Sequence, residues 1–418
     1  MTTIATTERP KGHHAALFVF VTVLIDAMGI GIIIPVMPDL IRDLSDLPLS
    51  KAALWGGYLS FVYAFMQFLF GPTVGNLSDR FGRRPVLLVS LAVLTIDYLI
   101  MGFAPTLAIL FIGRVLAGIA GATHSTAHAY IADISPPEKR AQNFGLIGAA
   151  FGIGFILGPI VGGLAGELGP RQPFFAAAAV AFVNLVYGYF LVPESLVQEK
   201  RRPFSVTRAN PLGVARQIRK FPTVAWLFAA VFLYNVAHFV YPAVWSFYTK
   251  EALGWTSAEV GLSLAAVGVG FAVVQGWLIR LVLPRLGEAK TVVLGFLVSI
   301  AGLVGLAFAN VTWLVYSLMP FVALGAMVTP AMTGLMSNRI PDDAQGELQG
   351  ALTSVAGVTI IISPVLMTQL FGYFAGDQAP FYFPGAPFLA AAVLMSLALI
   401  PFGVGLQRAP AVATEGSE

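Results

Sequence analysis

The stretch Gly75-Asn-Leu-Ser-Asp-Arg-Phe-Gly-Arg-Arg-Pro-Val-Leu87 decides how the rest of the chain is read. It sets Asp79, Arg80, Arg83 and Arg84 between two apolar runs, each close to the roughly 20 residues that a membrane helix needs. Charges crowded between two such runs predict a tight connection at a membrane surface. Lys and Arg accumulate on cytoplasmic connections, so the same stretch predicts which surface that is.

Working outward, the chain has 418 residues, 57% hydrophobic and 11% charged, with a mean hydropathy of +0.81. A soluble domain carries about 25% charge, so the expected fold class is an all-α polytopic membrane protein. Apolar stretches near 15–38, 54–75, 86–104, 107–131, 143–167, 173–192, 223–249, 258–283, 290–309, 311–337, 345–374 and 387–407 predict twelve transmembrane helices. An even number puts both termini on one face.

The basic residues identify that face. Connections on the terminal side carry Arg9, Lys11, Arg80, Arg83, Arg84, Lys139, Arg140, seven more between 193 and 222, then Arg280, Arg285, Lys290, Arg339 and Arg408. The opposite side has Arg42, Lys51, Arg171 and Lys250. This bias places both termini in the cytoplasm and the chain, multi-pass, in an inner membrane. The net charge of +3 is thus explained by topology, and no nucleic acid is expected as a partner. Met1–His14 is polar and leads into the first span with no small-residue cleavage site, which predicts an uncleaved first helix. The absence of cysteine excludes disulfide and thiol chemistry.

The segment Pro193–Pro222 holds Lys200, Arg201, Arg202, Arg208, Arg216, Arg219 and Lys220. It divides the chain into an N-terminal six-helix bundle over 1–192, a cytoplasmic basic linker over 193–222 and a C-terminal six-helix bundle over 223–418. Within the linker, Gly213–Phe221 reads either as a basic amphipathic helix on the inner leaflet or as a solvated tether. A shift of 205 residues lays the second half on the first. It pairs Gly71 with Gly276, Arg80 with Arg285, Gly82 with Gly287, Gly145 with Gly350, Gly152 with Gly357 and Pro159 with Pro364. One ungapped register through successive helices argues for an internal repeat, although Pro284 stands where the first half has Asp79.

Three ionised residues fall inside predicted spans: Asp26, Asp97 and Arg114. Each costs at least about 2.5 kcal/mol at the bilayer centre, which makes each a functional candidate. Asp97 and Arg114 lie symmetrically about the turn at Ala104–Thr106, so hairpin geometry sets them at one depth, as a structural ion pair or as part of a coupling site. Asp26 has no basic residue in its own span. Desolvation disfavours a lone charged carboxylate, so it is a candidate proton-binding site or else a hydrogen-bonded polar residue.

The Gly75–Leu87 stretch resembles the loop between helices 2 and 3 of the major facilitator superfamily, Gly-x-Leu-x-Asp-Arg-x-Gly-Arg-Arg-x-x-Leu, at every fixed position. The resemblance implies two six-helix halves related along the membrane normal, with a substrate cavity between them. It also implies gating roles for Gly75, Asp79, Arg80, Gly82 and Arg83. Asp79 is expected to meet the start of helix 11, near Gln345, when the cytoplasmic side is closed. Helix 1 reads Leu24-Ile-Asp-Ala-Met-Gly-Ile-Gly-Ile-Ile-Ile-Pro-Val-Met-Pro38, helix 3 has Thr95-Ile-Asp-Tyr98, and helix 4 has Gly113-Arg-Val-Leu-Ala-Gly-Ile-Ala-Gly-Ala122 and then Tyr130-Ile-Ala-Asp133. Together these look like the tetracycline/proton antiporters, the drug efflux branch tied to antibiotic resistance. That resemblance implies proton coupling through Asp26, Asp97 and Arg114.

Helix 5 carries Gly145, Gly154, Gly158, Pro159, Gly162 and Gly163, which resembles the antiporter signature of proton-driven exporters. The second half departs from the family: Phe271 and Ser299 stand where tetracycline exporters carry a histidine in helix 8 and an aspartate in helix 9. Either the coupling differs or the substrate does, and an exporter of an endogenous metabolite is the alternative. His124 and His128, four apart on one helix face, are open to three readings: a metal pair, a proton relay or substrate contact, or plain hydrogen bonding. No third ligand is evident, so no metal is expected. Gln67, His124, His128, Asn235, His238 and Gln275 are the candidate substrate contacts.

No nucleotide loop, nucleophile elbow or zinc-protease motif occurs, and the Gly-rich stretches lie inside apolar helices. The expectation is therefore a transporter, no enzyme and without cofactor. It would be monomeric in a lipid bilayer and driven by protons rather than ATP. A non-transporting membrane sensor is disfavoured because the chain has no sizeable soluble domain.

Overall fold

The structure is a computed structural model. It describes residues 12–121, 123–136, 139–205, 221, 224–341 and 344–408. Among these residues there is no strand, and eleven helices are long and apolar enough to cross a membrane. We label the crossings α1 (Gly12–Ser45), α2 (Leu49–Phe81), α3 (Arg83–Phe103), α4 (Leu107–Ile134), α5 (Arg140–Gly166), α6 (Gln172–Leu191), α7 (Ala225–Leu253), α8 (257–286), α9 (288–307), α10 (Thr312–Ser337), α11 (Gln345–Phe374) and α12 (Ala386–Arg408).

Eleven become twelve because Ser257–Ala307, with 51 residues, is two helices end to end. At 1.5 Å per residue a straight helix of that size would run for about 77 Å, against a bilayer core of about 30 Å. Gly287 breaks it, with φ 72° and ψ 168°. The twelve crossings return the chain to its starting side, here called the terminal face. The other side is the far face.

The charged stretch between α2 and α3 is shorter than the sequence suggests. α2 continues through Phe81 and α3 starts at Arg83, so the whole connection is Gly82, at φ 110°. A Cβ would be strained there, which is why a glycine holds the corner. Asp79 and Arg80 thus occupy the last turn of α2, and Arg83 and Arg84 the first turn of α3.

The repeat is visible in three dimensions. Gly82 and its partner at +205, Gly287, both take positive φ between consecutive helices. Arg83 donates to Asp133 at the end of α4 (3.2 Å), and their +205 counterparts, Glu288 and Asn338, are also joined (2.8 Å), with donor and acceptor exchanged. α4 is interrupted at Gly121, and α10 loosens into a 3-10 turn over Gly325–Met327, at the same register. Across the halves, Gly57 of α2 lies against the Pro364 carbonyl of α11, while Gly261 of α8 lies against the Pro159 carbonyl of α5. Helix pairs that approach this closely need a small residue at the crossing.

The two halves meet at the far face and part toward the terminal face. Every hydrogen bond between them among the described residues joins far-face ends: Ser246 to Ile34, Lys250 and Ser257 to Asp39, Ser257 to Pro35, Ala258 to Glu167, and Gln369 to Tyr58. Nearer the terminal face, a Cβ added at Gly71 or Gly75 of α2, Gly145 or Gly152 of α5, Gly276 of α8 or Gly346 of α11 would meet nothing within 4 Å. The molecule is open toward the terminal face and sealed toward the far face. Of the linker, Pro193–Ser205 is described and lies along the N-terminal half. The proposed amphipathic helix over Gly213–Phe221 falls outside the described residues except for Phe221, which is buried.

Candidate functional site

Among the described residues, charge in the membrane interior is confined to the first half. Asp26, Asp97 and Arg114 are the buried ionisable residues of the described core, at 8%, 1% and 7% exposure, whereas the buried polar residues of α7 to α12 are all Ser or Thr. Asp97 of α3 and Arg114 of α4 form an ion pair across their hairpin. The Arg114 guanidinium also lies over the Tyr63 ring of α2, 5.3 Å from its centroid, a cation–π contact. Asp26 has no salt-bridge or hydrogen-bond partner among the described residues. Its neighbourhood is built by close helix approach. Gly29, one turn along α1, lets the Tyr98 hydroxyl of α3 reach the α1 backbone.

A small pocket lies beside Asp26, lined by Tyr63, Ser90, Leu94, Ala117, Ala120 and Gly121. Its free space is about that of a single water, far below the roughly 300–1,000 Å³ of a drug site, so this chamber suits water and a proton rather than a drug. Gln67 lies behind this lining and reaches two of its members, Tyr63 and Gly121. Its Nε2 donates to the Gly121 carbonyl at 2.7 Å, the carbonyl freed where α4 is interrupted.

The other candidate contacts are dispersed. His128 is exposed and packs on Phe144 of α5, and the side chain of His124 lies outside the described residues. Asn235 is half-buried on α7. His238, one turn further, stands among the rings of Tyr234, Tyr241 and Phe271 at 5.5 to 5.9 Å. Gln275 is exposed within a π-helical turn of α8, Val274–Leu278. His128, Asn235, His238 and Gln275 are not part of the lining of the Asp26 pocket. Among the described residues no cluster of His, Asp and Glu could hold a metal.

The helix 5 residues divide between two neighbours. Gly154, Gly158 and Gly162 meet the α1 backbone at Leu24, Met28 and Ile32, while Pro159 and Gly163 meet α8 at Gly261 and Ser257. α5 therefore lies between α1, which carries Asp26, and the opposite half. Gly145 touches neither.

The Gly75–Leu87 stretch forms a second centre at the terminal face. The Arg83 guanidinium donates to Asp79 (2.6 Å), Ser78 (3.0 Å) and Asp133 (3.2 Å). Arg80 is exposed and lies over its neighbour Phe81. Asp79 and Gln345 do not meet in this open form: Gln345 donates to Ser337 and Ile340 carbonyls in its own half.

Sequence reading missed three groups. Tyr63 and Ser90 are unremarkable polar residues in apolar helices until the fold sets them around Asp26. Asp39 and Lys250, charges at two span ends, are 211 positions apart and meet at 2.7 Å. Glu194, three residues past the end of α6, reaches the start of α3. Nothing in one chain pairs charges so far apart, and only the tertiary fold does.

Two six-helix halves in pseudo-repeat, closed on one face and open on the other around a buried charged centre, define an alternating-access membrane transporter. The Major Facilitator Superfamily model matches residues 19–364 and 227–415. The chain is 41% identical over 363 residues to the tetracycline resistance protein, class C, of Escherichia coli, covering 86% of this chain and 90% of that one. It is 38% identical over 369 residues to the class G protein of Vibrio anguillarum, covering 87% and 92%. Among solved structures, a bacterial homologue of the human lysosomal transporter Spinster, described as inward-facing and unoccupied, aligns with a TM-score of 0.77 at 15% identity, over 96% of this chain and 98% of that one. The chain belongs to the Major Facilitator Superfamily, within the family of the tetracycline resistance proteins.

Proposed function

We propose that this protein is a proton-coupled antiporter that exports a small amphipathic drug, tetracycline-like or broader in range, across a bacterial inner membrane. The terminal face is the cytoplasmic one and both termini lie on it, in keeping with its excess of Lys and Arg. The observation that carries the reading is Asp26: a buried carboxylate without a countercharge, on a water-sized chamber, in the half that holds all the interior charge. A lone carboxylate there is disfavoured as an anion unless a proton or a cationic ligand joins it. Proton and substrate are then coupled through the conformation that each favours, which is the requirement for exchange.

Asp26 acts as the proton acceptor. The Asp97–Arg114 pair, linked to the chamber through Tyr63, sets the field in which that proton is held. In the open form the substrate enters from the cytoplasm and Asp26 releases its proton. The halves then rock about the α5–α8 and α2–α11 contacts, the far face opens, the drug leaves and Asp26 is reprotonated. Asn235, His238 and Gln275 supply the substrate contacts of the second half, and Gln67 with His124 and His128 those of the first. The protein works as a monomer, each half being the other's partner. Asp79 bonds to the start of α11 near Gln345 in the outward-open form, where a helix N-terminus favours an anion.

The test is Asp26→Asn in vesicles with an imposed pH gradient. The expected result is loss of uphill drug movement with downhill exchange retained. Proton-driven accumulation at the normal rate would overturn the assignment.

A further inference from the structure

The first turn of α3 sits in an unfavourable position. A helix N-terminus carries a partial positive charge and several N–H groups without intrahelical partners, yet here its first two residues are Arg83 and Arg84. Gly82, the residue before them, has no side chain to cap the helix. The missing acceptor comes from 110 residues away. One oxygen of Glu194 accepts from the backbone N–H of Arg83 at 2.8 Å and the other from that of Arg84 at 3.3 Å. The same carboxylate accepts from the N–H groups of Ser195 and Leu196, both at 3.0 Å, so it is fixed at its own end as well.

Glu194 belongs to a strap, Pro193–Ser205, that is laced to the gate stretch at several points. The Tyr130 hydroxyl donates to the Pro193 carbonyl at 2.8 Å, and the Ser195 hydroxyl donates to Asp133 at 3.2 Å. Arg202 N–H donates to the Asp79 carbonyl at 3.1 Å, one of the carbonyls left open at the end of α2. Asn76 donates to the Ser205 carbonyl at 2.6 Å. The strap therefore closes both helix ends that flank Gly82, the C-terminus of α2 through Arg202 and the N-terminus of α3 through Glu194. Between them stands the Arg83 side chain, already committed to Asp79, Ser78 and Asp133.

We propose that Glu194 is a positioning residue for transport: by capping α3 it fixes the Arg83 fork, and with it the Asp79 carboxylate that the opposite half must find. The inference rests on the gating role proposed for Asp79. It gives the beginning of the interdomain linker a mechanical role, because whatever pulls on the strap from residue 206 onward pulls on both sides of the gate.

The experiment uses the full chain with Glu194→Ala and Glu194→Gln, compared per folded molecule. Substrate affinity is measured by equilibrium binding of tetracycline in detergent, and drug movement is measured in vesicles with an imposed pH gradient. Glu194→Ala is expected to lower the maximal rate about tenfold, in the range for loss of a helix cap, with binding affinity unchanged. Glu194→Gln, which still accepts N–H bonds, is expected to recover most of the rate. If Glu194→Ala transports normally, or if its lost rate simply follows lost folded protein while Gln and Ala behave alike, the proposal is overturned. Asp79→Asn separates the two levels. If it leaves the rate unchanged, the gate reading itself fails. If it slows transport while Glu194→Ala does not, only the role of Glu194 is lost.

Discussion

Removing the Asp39 carboxylate should tilt the protein toward its far-face-open form. Lys250 Nζ lies 2.7 Å from Asp39 Oδ2 and 3.0 Å from the Ser257 hydroxyl, and Ser257 itself donates to Asp39 at 2.7 Å. Asp39 is on α1, and Lys250 and Ser257 are on α7 and α8, so all the bonds to Asp39 cross between the halves. They exist only while the far face is sealed, and their whole worth counts as preference for that state. The side chain of Lys250 is 8% exposed and that of Asp39 36%. An exposed pair is worth about 0–1 kcal/mol, and breaking a buried one costs about 3–5 kcal/mol. This half-buried pair falls between, at about 2 kcal/mol, which corresponds to a shift of about 30-fold in the ratio of the two forms.

The two single variants should differ. Asp39→Asn leaves a buried ammonium without a countercharge, whereas Lys250→Met leaves a carboxylate that water can reach, so the first should shift the ratio more. The chain has no cysteine, so a single reporter can be placed without a background. Ser246→Cys, buried in the far-face contact, can be labelled with a membrane-impermeant maleimide only when that face opens. The labelling rate of the reporter should rise by about the same factor in Asp39→Asn and by less in Lys250→Met. Rates within about twofold of the parent in both variants would refute the clasp and the energy assigned to it.

Asp79→Asn should slow turnover while leaving ligand affinity intact, measured as maximal rate against equilibrium binding. Arg114→Ala should lower the yield of folded protein sharply, because a buried Asp97 left without its partner costs about 3–5 kcal/mol. The double change Asp97→Asn with Arg114→Gln should recover the yield in size-exclusion profiles but not proton-driven transport. Gly261→Val puts a branched side chain against the Pro159 carbonyl at the α5–α8 crossing. It should raise far-face labelling of the same Ser246→Cys reporter, without removing any charge.

The legible part of this protein is the part written in composition and local spacing. Hydropathy alone marks where the chain crosses the bilayer, since an apolar run of about 20 residues has few other uses. Arg and Lys sort by face, and Asp26, Asp97 and Arg114 stand out because a charge inside a span is expensive. The Gly75–Leu87 motif and the 205-residue register identify the superfamily and its two halves. Even there the structure changes the detail: the charged stretch is two helix ends around one glycine, because Gly82 turns the corner without further residues.

Composition and local spacing set the number of crossings, the repeat and the three interior charges, all properties of a residue and its near neighbours. Tertiary structure alone decided which charges meet. It set Tyr63 and Ser90 around Asp26, and brought Asp39 to Lys250 across the halves. It also carried Glu194 back over 110 positions to the first turn of α3. The physical reason is that burial acts on each side chain separately and leaves its trace in composition, whereas a hydrogen bond or an ion pair depends on a distance of about 3 Å. That distance is fixed only when the helices pack.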